Sequence, residues 1–208
     1  MILLSIFCLL FTKTNNMAKK VPASAPLSGT TAGKKLPEKV AKYLADSGVK
    51  HNVLEHRTVY TAMDAANTMK RKMGEIAKSL LVQADKDYFL VLLPADYNLD
   101  FKKLGKCLGA QTGKKIKTVK ILGEKIMADV LKIKAGTLSA FGQLHKLPVI
   151  ADKALLKAKK AVFSSGSFNH SVEMAVKDFV KLENAVLGSF GVKKRIKIQR
   201  VNKIKKGR

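Results

Sequence analysis

Two apolar runs, Ala77–Ala84 and Tyr88–Pro94, flank the tripeptide Asp85-Lys86-Asp87. Each run has the length of a strand, and the charged tripeptide between them suits a reversal, so the pattern predicts a β-hairpin. The other segments arrange themselves around it. Leu36–Ser47 has Pro37 near its start, Val40, Tyr43 and Leu44 on one face, and Gly48 as a stop, which is the pattern of a short amphipathic helix. His51–His56 reads as a strand and Thr61–Arg71 as a helix. Leu99–Leu108 reads as a helix stopped by Gly109, Lys115–Thr118 as a brief strand, and Leu122–Leu131 as a helix. Further strands are expected at Pro148–Asp152, Ala161–Ser164, Ser171–Ala175 and Val186–Ser189, with a helical turn at Asp178–Glu183. Strands and helices mix without a βαβ rhythm, so the expected class is α+β with a mixed sheet.

Charge bounds the partners. The 208 residues carry a formal net charge of +25. Residues 1–35 hold five lysines and no acid, and residues 192–208 hold nine lysines or arginines and no acid. The body, 36–191, keeps an excess of +11 without either end. A basic body with basic ends suits a polyanion such as RNA. Aromatic residues are not interleaved with the basic runs, so phosphate contacts fit better than base stacking. The expected organisation is an apolar leader and basic tail (1–35), one folded domain (36–191) and a basic C-terminal tail (192–208).

Met1–Phe11 is almost wholly apolar but too short for a bilayer-spanning helix. It lacks a basic n-region and a clean small-x-small cleavage site. Met17-Ala18-Lys19-Lys20 reads as an ordinary start, so Met17 is the expected initiator, with a secreted or membrane-surface protein as the alternative. Cys8 and Cys107 form no disulfide framework, and neither they nor His51, His56 and His145 show metal-ligand spacing. A cytoplasmic location, no metal or cofactor, no stable membrane association and a monomer are the defaults.

The stretch from Gly136 to Met174 carries the chemistry. Gly136-Thr-Leu-Ser-Ala-Phe-Gly142 and Ser164-Ser-Gly-Ser-Phe-Asn-His170 are Gly- and Ser-rich turns around the apolar strand Leu147–Asp152. Such turns expose backbone N–H groups to a ligand. Lys78 stands at the mouth of the first hairpin strand, in Ala-Lys-Ser-Leu-Leu-Val. The candidate ligand contacts are Gly136, Thr137, Ser139, Gly142, Gly166, Ser167 and His170, each of which serves equally well as a turn former or cap.

In these pieces, in their order, and in Leu90–Pro94 and Leu99–Leu104, the chain resembles the YbaK/prolyl-tRNA-synthetase-associated domain family over about residues 37–190. The resemblance implies a mixed sheet curling toward a barrel, flanked by helices, and a trans-editing hydrolase that deacylates mischarged aminoacyl-tRNA. Cys- or Ala-tRNA(Pro) is the implied substrate, and prolyl-tRNA synthetase the implied partner. It also implies that Lys78 is the key pocket residue, contacting the ester carbonyl or the terminal ribose-phosphate, with the substrate 2′-hydroxyl helping to position water. Two positions depart from the family pattern: Ala140 stands where the first loop usually has proline, and Ser79 where some alanine-specific relatives carry asparagine. The lack of a synthetase-sized flank implies a freestanding enzyme. The competing reading is a basic tRNA-binding module that keeps the fold without hydrolysis.

Overall fold

The structure, a computed structural model, describes residues 36–132 and 136–194. The leader and tail read at 1–35, the segment 133–135 and the stretch 195–208 lie outside the described residues. The first half runs α1 (Glu38–Ser47), β1 (His51–Glu55), α2 (Ala62–Thr68), β2 (Ala77–Ala84), β3 (Asp87–Pro94), β4 (Tyr97–Leu99), α3 (Phe101–Thr112), β5 (Val119–Ile121) and α4 (Glu124–Leu131). The second runs β6 (Val149–Asp152), β7 (Lys160–Ser164), β8 (His170–Ala175), α5 (Val176–Leu182), β9 (Val186–Gly188) and β10 (Gly191–Lys193). The class is α+β with a mixed sheet, as the sequence implied.

The hairpin forms the centre. β2 and β3 pair antiparallel from Ala77↔Pro94 to Ala84↔Asp87. Asp85 turns the corner at φ +52°, and its carboxylate accepts from Lys117 N (3.1 Å) and Thr118 N (2.8 Å), which brings β5 alongside β2. The five-stranded sheet has the order β5-β2-β3-β6-β9, with β3–β6 and β6–β9 parallel. A second, antiparallel sheet has the order β1-β8-β7, and β10 pairs with β4 as a two-stranded ribbon. A parallel bridge, Ile76↔Val162, links the start of β2 to β7. The expected curl toward a barrel stops short of closure, because β5 and β9 end the central sheet and no described ladder joins them.

Strand alternation gives β2 two working faces. Ala77 and Leu81 enter the largest apolar cluster with Leu90, Leu92, Leu138, Ala140, Phe141, Phe163 and Phe179. Val82 and Ala84 enter a second cluster, where Leu104 and Leu108 of α3 cover the other face of the sheet.

Three expectations need correction. α3 does not stop at Gly109; it continues to Thr112 and ends on Gly113 at φ +67°. A Cβ on Gly109 would lie 2.9 Å from the Lys114 carbonyl oxygen, so this glycine serves a close approach rather than a helix end. The brief strand forms at Val119–Ile121, not at Lys115–Thr118, because its ladder to β2 begins only at the Val119↔Ala84 pair. The folded body also takes in residues past Gly191: β10 pairs with Tyr97–Leu99, and Lys194 N donates to Asp96 O at 2.8 Å. Val192 and Lys193, expected as solvated tail, are therefore strand residues.

Candidate functional site

The two glycine-bearing bends lock into each other. Ala140 N donates to Ser164 O at 2.9 Å. Gly166 sits at φ +83°, and a Cβ there would meet Thr137 O at 3.0 Å and Ser139 Cβ at 3.4 Å. Gly136 sits at φ +76°, and a Cβ there would strike the Phe168 ring at 2.9 Å. Each glycine thus stands where the other bend leaves no room for a side chain. The second bend is also tied to the chain after β1. Asn169 O accepts from His56 N (2.9 Å), Phe168 O accepts from Val59 N (3.0 Å), and Asn169 Nδ2 donates to Thr58 Oγ1 (3.2 Å). Phe168 carries the exposed Tyr60 ring at 5.3 Å between centroids. Nothing in the spacing of the sequence pointed to Phe168 or Tyr60; the glycine opposite Phe168 was the only available signal.

The candidate contacts separate into two groups. Gly136, Thr137, Gly166 and Ser167 sit at the exposed or half-buried lip of the interlock. Ser139 and His170 are each 3% exposed, and each has a side-chain polar atom with an internal partner. Ser139 Oγ lies 2.9 Å from His145 Nε2, and burial, reinforced by Lys39, holds that imidazole below the usual histidine range. His170 Nδ1 lies 3.4 Å from Ser167 Oγ, and its carbonyl accepts from Ser165 Oγ at 2.7 Å. Gly142 stands apart, in a 3₁₀ turn over Gly142–His145, where a Cβ would meet Leu147 O at 2.7 Å. That turn is fixed by Glu183, which accepts from Gln143 N (3.1 Å) and from Tyr43 OH (2.8 Å). Burial pushes the Glu183 carboxyl above its ordinary range despite these donors.

Lys78 occupies the opposite face of β2 from Ala77 and Leu81, and so from the cluster that holds Leu138, Ala140 and Phe141. Its amine donates to Tyr97 O at 3.2 Å. Burial, reinforced by the Lys194 charge, lowers its pKa from the usual lysine value. Lys194 in turn donates to Ala95 O at 2.9 Å. The amine is therefore half-buried beneath the β4–β10 ribbon. Ser79, one residue on, lies on the face of Ala77 and Leu81, and its hydroxyl is buried with no hydrogen-bond partner among the described residues.

Ala140 is fully buried, and the bond from its N–H is one that proline could not make. Ala140→Pro is expected to lose it and leave the Ser164 carbonyl unpaired, costing about 1–3 kcal/mol. Urea denaturation checks this; an unchanged midpoint and slope would show that the bond does not hold the bends.

The sequence pattern of the aminoacyl-tRNA editing domain matches residues 56–182, a span that takes in Lys78, both bends and His170. The chain belongs to the aminoacyl-tRNA editing domain family. Solved structures share the editing-domain fold. One, the hypothetical protein APE2540, is matched over 100% of its length by 74% of this chain, at 21% identity and a TM-score of 0.65. A second, described as a candidate trans-editing enzyme for prolyl tRNA synthetase, is matched over 100% of its length by 77% of this chain, at 20% identity and a TM-score of 0.64. A third, a candidate signal transduction protein from Marinobacter aquaeolei VT8, is matched over 31% of its length by 76% of this chain, at 20% identity and a TM-score of 0.57. At these identities the likeness speaks for the fold alone. No protein among those with curated functions matches the chain. Among the described residues, no helix of this editing domain is long and apolar enough to cross a membrane, and no cluster of His, Cys, Asp or Glu is arranged to hold a metal ion.

Proposed function

We propose that this editing domain hydrolyses the ester of mischarged aminoacyl-tRNA, with Cys- or Ala-tRNA(Pro) as its substrate. The observation that carries the reading is the matched span, 56–182, which holds Lys78 and two bends locked through Ala140 N–H and Gly166. Water attacks the ester carbonyl carbon, an oxyanion forms, and the bond to the ribose oxygen breaks, that oxygen leaving with a proton. No side-chain nucleophile is required, because the ester is already activated.

The two faces of β2 divide the substrate. The face of Ala77 and Leu81, where the buried Ser79 hydroxyl has no hydrogen-bond partner among the described residues, backs the wall that the aminoacyl end meets beside the bends. The Lys78 ammonium, on the other face, holds the terminal ribose-phosphate and so fixes the ester in place. Backbone N–H groups at the lip of the interlock supply donors to the oxyanion.

Binding without hydrolysis is the competing reading. Its support is Ala140 in place of proline, and the Ala140–Ser164 bond, which restrains the bend by other means, weakens that support. A panel of tRNAs charged with Ala, Cys, Ser, Thr and Pro tests the proposal. Release of Cys or Ala from tRNA(Pro) with Pro retained is the expected outcome. Release of none above the buffer rate would refute hydrolysis, and release of Pro would refute the selectivity.

A further inference from the structure

A groove with a volume of ≈ 790 Å³ runs between α3 and the segment that follows it. Gly105, Gly109 and Ala110 line its helix side, and the two glycines let the facing chain come close: a Cβ on Gly105 would meet Val119 Cγ2 at 3.4 Å, and one on Gly109 the Lys114 carbonyl oxygen at 2.9 Å. Its rim is cationic. Lys102 and Lys106 stand one helical turn apart along α3, and Lys114, Lys115 and Lys117 line the other side. All five side chains are exposed, no acidic residue lines the groove, and among the described residues no ion pair takes up any of their amines. Asp85, which reaches the groove segment from the hairpin turn, is committed to the backbone N–H groups of Lys117 and Thr118.

Phe101, Ile116 and Val119 add apolar surface to the groove, but five exposed, unpaired ammonium groups on its two sides match a phosphodiester strand better than an apolar partner. The location fits the same ligand. α3 covers the face of the sheet on which Lys78 stands, and β5, at the groove, pairs with Val82–Ala84. Val119, the β5 residue that lines the groove, pairs with Ala84, so Lys78 lies about six residues, or roughly 20 Å, along β2 from it. A stacked strand advances about 3.4 Å per nucleotide, so this corresponds to roughly six nucleotides.

We infer that the groove is a docking track for the tRNA phosphate backbone a few nucleotides inward of the aminoacylated end. The inference rests on the editing reading for the identity of the RNA. Its test uses uncharged tRNA(Pro), so it does not depend on hydrolysis. The full chain and the triple variant Lys102→Gln/Lys106→Gln/Lys115→Gln are titrated with labelled tRNA across a salt series. A second triple variant, Lys42→Gln/Lys50→Gln/Lys159→Gln, removes the same charge from exposed positions elsewhere.

The groove variant is expected to bind about tenfold or more weakly near 0.1 M salt. The slope of log affinity against log salt should shrink by roughly 2–3, about 0.9 for each phosphate that is no longer neutralised. The control variant should keep most of the wild-type slope. Three results would each overturn the inference: an unchanged groove variant, an equal loss in both variants, or loss of binding to phosphatidylserine vesicles with tRNA affinity intact. A groove variant that loses affinity as expected, in a protein that deacylates nothing in the panel, would sustain the track and refute only the hydrolysis.

Discussion

Lys78→Ala is expected to lower kcat/KM for deacylation by ~10²-fold or more, the scale of losing one well-placed charge or of misplacing the ester by about an ångström. The amine is half-buried, its hydrogen bond goes to Tyr97 O, and Lys194 stands near enough to disfavour its charge. Such a lysine does not serve stability. Its lowered pKa means that the folded state resists the ammonium form; that cost is full below the lowered pKa and is relieved as pH rises toward the unfolded value of 10.5. Lys78→Met is therefore expected to melt no lower than wild type at neutral pH while losing activity like the alanine variant. Lys78→Arg keeps the charge and should retain part of the rate. Above the buffer-catalysed background, the wild-type rate should decline on the alkaline side at a pH below 10.5, as the amine gives up its proton. Single-turnover rates and thermal melts together check these expectations. A Lys78→Met variant that is both destabilised and fully active would reverse the assignment, making the lysine structural.

Asp152→Ala is expected to be the most destabilising single change on the Lys78 side of the fold. The side chain is 3% exposed and accepts three backbone N–H bonds: Ala154 N at 2.7 Å, Phe190 N at 2.7 Å and Gly191 N at 2.5 Å. Removing the carboxylate strands these donors, Phe190 N in a fully buried residue, at about 1–3 kcal/mol each; the three share one carboxylate and do not add in full, so a total of roughly 3–5 kcal/mol is expected. The consequence extends to Lys78. Phe190 and Gly191 set the path into β10, β10 pairs with β4, and the Tyr97 carbonyl on β4 holds the Lys78 amine. Denaturant unfolding should show the loss of stability, and hydrogen exchange should show faster opening at Tyr97–Leu99 and Gly191–Lys193 than at the β2–β3 ladder. A loss below about 1 kcal/mol, the low end of the cost of stranding one donor, with the ribbon still protected would contradict this chain of supports.

The parts of the fold that were legible in the sequence are those fixed by local pattern. The β2–β3 hairpin follows from two apolar runs and a charged turn, and α1 follows from Pro37 and Gly48. Where distant contacts decide, the pattern misled. Gly109 resembles a helix stop, but its missing side chain makes room for the Lys114 carbonyl. β4 and β10 are three residues each, and the start of β10 is held by Asp152, far from both in sequence. The candidate site divides in the same way. That Gly136 and Gly166 mattered could be read from composition, but that each clears the other bend could not. Ser139 reads as a free hydroxyl until His145, six residues on, folds back to it. Lys78 and Ser79 are adjacent letters, yet a strand sends them to opposite faces, and only the packing of Ala77 and Leu81 shows which face belongs to the bends.

The most direct test of the editing assignment is single-turnover hydrolysis of Ala-tRNA(Pro) and Cys-tRNA(Pro) by excess wild-type protein, with Lys78→Ala in parallel. At least one of these esters is expected to be cleaved ~10²-fold or more above the buffer rate, with the variant falling most of the way back to that rate. Wild-type hydrolysis at the buffer rate for both esters, or a variant as fast as wild type, would contradict the assignment.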